Sequence, residues 1–151
     1  VDTMARLFEL KNIAGVKDAT GDPNRIDETL KKLGPDFIQL TGEDGFALEF
    51  NKRGGVGIIS VTANIAPKLC SDFQNYSKSE TDNEIKEAER IDQILQPIHK
   101  SLFIESNPAP VKYAAKLLGL CGDEIRLPLV KIKKETEDQV KKALISAKLL
   151  S

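Results

Sequence analysis

Asn12-Ile13-Ala14-Gly15-Val16-Lys17-Asp18-Ala19-Thr20-Gly21-Asp22-Pro23 joins an apolar, β-rich run to a helix-start signal, with a lysine at the junction. The same order recurs at Phe37 to Thr41, followed by Gly42-Glu43-Asp44 and the apolar positions Phe46, Ala47 and Phe50. It recurs again at Val56 to Thr62, followed by Asn64, Ile65, Leu69, Phe73 and Tyr76. Behind the first run, Pro23 suits an early helical position, and Ile26, Leu30 and Leu33 keep helical spacing up to Gly34-Pro35. Acids at Glu43 and Asp44 suit a first helical turn, and Asn64 is the expected cap of the helix after the third run. Repeated βα units with continuous apolar strands argue for a parallel sheet covered by helices. The fold class is therefore α/β, either an open doubly wound sheet or part of a (β/α)8 barrel.

The rest of the chain reads as helical. Ile85, Ala88, Ile91, Leu95, Ile98 and Leu102 form a stripe between Asp82 and Phe103, interrupted by Pro97. A second helix is predicted from near Asn107-Pro108 to Gly119, with Asn107 as its cap, and a third from about Glu135 to Leu150. Two regions follow: residues 1–80 as the βα part and 81–151 as a helical region. The chain opens on Val1 with no initiator methionine, and Met4, Leu7 and Leu10 are spaced as on a helix face. It is expected to start at or inside a helix and to be a fragment.

Composition narrows the classes. Forty percent hydrophobic and 30% charged is ordinary for a globular protein, and the net charge is -1. Residues 1–80 carry 10 Lys/Arg against 12 Asp/Glu, and residues 81–151 carry 12 against 11. No basic stretch points to nucleic acid, and no apolar run is long enough to span a membrane. Cys70 and Cys121 stand far apart and His99 is the only histidine, so neither a disulfide framework nor a zinc site is expected, and a reducing cytoplasm is the default. Gly54-Gly55-Val56-Gly57 lacks the phosphate-loop pattern and reads as the entry to a strand. His99 reads as structural or exposed.

In parallel α/β folds, ligand sites form at the carboxyl ends of the strands. Those ends carry Lys17, Thr41-Gly42 and Ser60-Val61-Thr62. Alternation puts Ile13, Gly15 and Lys17 on one face, with Gly15 leaving volume beneath the lysine. Apolar surroundings disfavour an ammonium, and a neutral amine is what attack on a carbonyl carbon needs. Spacing alone leaves two readings open: an imine-forming amine, or a solvated charge paired with Asp18.

Gly15-Val16-Lys17-Asp18-Ala19-Thr20-Gly21-Asp22 resembles the Schiff-base lysine segment of the pyruvate-dependent class I aldolases, the superfamily of dihydrodipicolinate synthase and N-acetylneuraminate lyase. Leu40-Thr41-Gly42-Glu43-Asp44, Gly57-Ile58-Ile59-Ser60-Val61-Thr62-Ala63-Asn64 and Asn107-Pro108-Ala109-Pro110-Val111-Lys112 follow in the same order, the last two being most similar to the dihydrodipicolinate synthase branch. The resemblance implies the C-terminal part of a (β/α)8 barrel, with strands 6 to 8, plus a three-helix appendage. It implies Lys17 as the imine-forming lysine, Gly42 at the border of the substrate pocket, and Ile59 as a backbone contact for pyruvate. The implied substrates are pyruvate and aspartate 4-semialdehyde, with no metal or organic cofactor and a homotetramer at full length. A sialic acid or 2-keto-3-deoxy sugar acid lyase, and a non-catalytic half-barrel module, are the alternatives. A closed barrel needs roughly 250 residues. The first five strands, with the family's proton-relaying threonine pair and tyrosine and its carboxylate-binding arginine, are therefore expected to be missing here, and this chain to be inactive alone.

Overall fold

The computed structural model describes residues 1–151. Three strands, β1 (Gly15–Asp18), β2 (Ile38–Thr41) and β3 (Gly57–Ile58), form one sheet in the order β1-β2-β3. Both pairings are parallel, with Lys17 opposite Leu40 and Leu40 opposite Gly57. The sequential order and parallel sense match the βα reading. Seven helices accompany the sheet: α1 (Asp2–Phe8), α2 (Pro23–Leu33), α3 (Ala47–Lys52), α4 (Pro67–Tyr76), α5 (Asp82–Leu102), α6 (Ala109–Leu117) and α7 (Lys134–Ser146).

Strand alternation separates two faces. Gln39 and Thr41 point to a face covered by α2 and α3; Gln39 is buried there and its side-chain amide donates to the Ile26 carbonyl. Gly15, Lys17, Leu40 and Ile59 point to the other. That face is open in this chain: Ile38 and Ile59 are each about half exposed. Helices thus cover one face of the sheet and leave the other open.

Several boundaries differ from expectation for local reasons. The run Val56 to Thr62 yields a strand of two residues; Ile59 still donates to the Thr41 carbonyl at 2.9 Å, and the chain then leaves the sheet into a 3-10 turn at Thr62–Asn64. Asn64 does not cap α4. Its amide donates to the Val61 carbonyl at 3.0 Å, and Pro67 opens the helix. Asp44 begins a 3-10 turn, Asp44–Phe46, before α3. Asn107 does not cap α6, which starts after Pro108. Pro97 does not interrupt α5, because Ala88, Ile91, Leu95, Ile98 and Leu102 keep one buried stripe on both sides of it. The third C-terminal helix stops at Ser146, and Lys148 turns to positive φ.

The core is continuous. Ala47, Ile65, Phe73, Ile91, Leu95, Ile98, Val140 and Leu144 belong to one buried cluster: α5 packs against the helices that follow β2 and β3, and α7 packs against α5 and α6. Each such side chain contributes roughly 1.5–3 kcal/mol when fully withdrawn from water. This packing fixes α5 and α6 beside the ends of the strands. No helix is long and apolar enough to cross a membrane.

Candidate active site

Lys17 occupies the third position of β1 and its side chain is exposed, which corrects the expectation of an enclosed, apolar setting. The cause is the open face: α2 and α3 cover the opposite side of the sheet. Lys17 is not paired with Asp18 either. Neighbouring strand residues point to opposite faces, and Asp18 instead accepts from Arg25 Nε at 2.7 Å and from the Thr20 backbone N–H at 2.8 Å. Burial pulls the Asp18 pKa upward, but the bonds from Thr20 and Arg25 together outweigh it and hold the carboxyl below its usual range.

Two glycines shape the path of the lysine. A Cβ on Gly42 would lie 2.5 Å from Lys17 Cε, 3.3 Å from Nζ and 2.9 Å from Ala19 Cβ. Gly42 therefore leaves the space through which the Lys17 side chain runs. Gly15 has a different task from the one its spacing suggested. A Cβ there would come within 2.6 Å of Ile38 Cβ and collide with the Ile38 carbonyl, so this glycine permits close approach to β2.

Lys17 forms one wall of a cavity of about 450 Å³. The loop after β3 supplies Ile59, Ser60, Val61 and Asn64; α6 and its entry supply Asn107, Pro108, Val111 and Lys112; Leu120 and Cys121 close the side. Lys112 reaches across to the Glu124 carbonyl at 2.6 Å, tying α6 to the segment beyond it. Ile59, 52% exposed, opens onto this cavity, whereas Gly42 touches Lys17 without lining it. The segment Asn107 to Lys112, one of the motifs that carry the resemblance, is thus a cavity wall.

A buried polar cluster stands behind that wall. Asp44, 3% exposed, accepts from the Ser60 hydroxyl through Oδ1 and from the Val61 N–H through Oδ2 at 2.9 Å. Ser60 Oγ in turn accepts from the Ala63 N–H at 2.8 Å. Thr62 Oγ1 meets His99 Nδ1 at 2.7 Å, and both residues are buried. Burial pushes the His99 pKa down, partly opposed by the charges of Asp44 and Asp92. The reading of His99 as structural or exposed resolves to the former, while Asp44 acts well beyond a first-turn acid. Its signal in the sequence, an acid three residues past a strand, does not distinguish a dipole partner from a clamp on the next loop. No group of three or more His, Cys, Asp or Glu side chains is arranged to hold a metal ion.

Comparison with known proteins now decides the family. Residues 1–147 match the model of the dihydrodipicolinate synthetase family. The chain belongs to the dihydrodipicolinate synthetase family. Among curated relatives, 4-hydroxy-tetrahydrodipicolinate synthase of Pelagibacter ubique is 71% identical over 150 residues, covering 99% of this chain and 51% of that protein. The enzyme of the same name from Parvibaculum lavamentivorans is 52% identical over 151 residues, again covering 51% of its length. Among solved structures, dihydrodipicolinate synthase from Aquifex aeolicus superposes with a TM-score of 0.91 at 36% identity, covering 98% of this chain and 50% of the other. A chloride-inhibited dihydrodipicolinate synthase from Acinetobacter baumannii, complexed with pyruvate, gives a TM-score of 0.90 at 38% identity, covering 99% and 50%. The chain spans about half the length of the dihydrodipicolinate synthetase family relatives it matches.

Proposed function

We propose that this chain is the C-terminal portion of a 4-hydroxy-tetrahydrodipicolinate synthase and supplies its Schiff-base lysine. In this reading residues 1–80 are the last three βα units of a (β/α)8 barrel, and residues 81–151 are its helical appendage. The observation that carries it is the convergence of Lys17, the β3 loop and the α6 entry on one cavity. The unprotonated Lys17 amine attacks the ketone carbon of pyruvate, and loss of water leaves an imine. Loss of a methyl proton then gives an enamine, with the protonated imine taking up the electron pair. The enamine carbon attacks the aldehyde of aspartate 4-semialdehyde, forming the new carbon–carbon bond. The amino group of that substrate then attacks the imine carbon, closing the ring and expelling the Lys17 amine.

Within this scheme Gly42 keeps the lysine path open, and the backbone at Ile59 contacts pyruvate. The proton transfers need a positioned acid or base. Tyr76 and Tyr113 lie in α4 and α6 and neither lines the cavity, so neither serves; in this reading the role falls to the tyrosine and threonine pair that the resemblance puts in the earlier strands of the barrel. The isolated chain is then inactive, and the whole enzyme is a cytoplasmic homotetramer working in lysine and cell-wall precursor synthesis.

The test is a completed protein, in which the chain is joined to the part of the Pelagibacter ubique relative that it does not match. Turnover is measured with pyruvate and aspartate 4-semialdehyde, and cleavage with sialic acid and ketodeoxy sugar acids. Condensation with the semialdehyde and loss of activity on removing the added half are expected. Preferential cleavage of a sugar acid overturns the substrate assignment, and turnover by the isolated chain overturns the division of labour.

A further inference from the structure

We infer that Asp44 is a positioning residue, whose buried carboxylate sets the pyruvate-facing wall at Ile59–Val61 against Lys17. The inference deepens the proposed function and rests on it. Three consecutive residues after Ile59 are held from behind, the Ser60 hydroxyl and Val61 N–H by Asp44 and the Thr62 hydroxyl by His99, and Ser60 Oγ in turn accepts from the Ala63 N–H. Ile59, Ser60 and Val61 line the cavity that Lys17 borders, whereas Asp44 and His99 do not touch it. The clamp therefore acts on the wall from outside the site.

The origin of Asp44 gives the clamp its meaning. It sits two residues beyond Gly42, the glycine whose missing side chain admits Lys17. One short turn after β2 thus controls both partners of the proposed chemistry: Gly42 clears the amine, and Asp44 fixes the wall that faces it. A carboxylate suits this task because each of its oxygens takes one donor, here an O–H and an N–H, and charge-assisted bonds of this kind are about twice as strong as neutral ones. Its near-complete burial adds to the demand for both bonds, since an unpaired buried carboxylate is costly.

A wall out of place weakens pyruvate binding specifically, whereas loss of folded protein lowers kcat and leaves KM alone. In the completed protein, Asp44→Ala is expected to raise the KM for pyruvate about tenfold or more, with the KM for the semialdehyde within about twofold of the parent. Asp44→Asn keeps an oxygen for the Val61 N–H and is expected to recover most of the loss. If Asp44→Ala does not fold by circular dichroism, Ser60→Ala carries the test, with an expected rise of about threefold in the pyruvate KM. An unchanged pyruvate KM with reduced kcat, or an equal rise in both KM values, overturns the inference. Absence of pyruvate turnover in the parent protein overturns the proposed function itself and takes this inference with it, so the two failures are distinct.

Discussion

Lys17 Cε lies 2.5 Å from the point where a Cβ on Gly42 would stand. The lysine of β1 and the glycine after β2 are therefore matched: one side chain occupies the volume that the other lacks.

Gly42→Ala should separate chemistry from stability. The nearest clash is with the flexible end of a lysine, so that side chain can swing aside; Ala19 Cβ at 2.9 Å cannot, and the backbone must give there. Overpacking against a neighbour that cannot swing aside costs about 1–3 kcal/mol, and a loss at the lower end of that range is expected. Imine formation in the completed protein should still fall about tenfold or more, because a misplaced amine loses its attack geometry. Thermal unfolding and the rate of borohydride trapping with pyruvate, measured together, check both halves.

His99 should leave a mark on the pH dependence of stability. Its folded pKa lies below the ordinary 6.5, chiefly through burial. Below that value the unfolded chain binds more protons than the folded one, so stability is full above about pH 6.5 and declines as pH falls toward the lowered folded value. Replacing His99 with Gln keeps a hydrogen-bonding partner for Thr62 and removes the titration. The unfolding temperature of the variant should change less between about pH 6.5 and 5 than that of the parent. Identical slopes would exclude His99 as the titrating group.

The two cysteines should react very differently. Cys70 is buried in α4, and burial raises its thiol pKa to about 11. Cys121 is exposed at the edge of the cavity that Lys17 borders. A disulfide reagent at pH 8 should modify one thiol quickly, and Cys121→Ser should abolish that phase while leaving a slow one limited by opening of the fold. Two fast thiols would mean that the α4–α5 packing opens readily.

The fold was legible where period and punctuation agreed. The apolar runs at Gly15–Asp18 and Ile38–Thr41 and the Asp22-Pro23 start fixed the first βα units, because a strand run ending in a capped helix has few other readings. The α5 stripe was equally readable, but whether Pro97 would end the helix was not: burial on both sides of it outweighs one lost donor. The third strand was overread for a tertiary reason. Val61 and Thr62 have strand-forming character, yet Asp44 takes the Ser60 O–H and the Val61 N–H where the chain leaves the sheet. At the site, Lys17 and Gly42 stood out as strand-end positions, and their roles, with Ile59, came from a resemblance between motifs. The Asp44 clamp, the Thr62–His99 contact and the participation of Leu120 and Cys121 depend on contacts between residues far apart in sequence, which no local pattern carries.

The most direct measurement is borohydride reduction of the completed protein in the presence of pyruvate, followed by mapping of the adduct by peptide mass spectrometry. A single three-carbon adduct on Lys17, absent without pyruvate and absent in Lys17→Ala together with turnover, is expected. An adduct on Lys112 or any other lysine, or undiminished turnover in Lys17→Ala, contradicts Lys17 as the imine-forming residue.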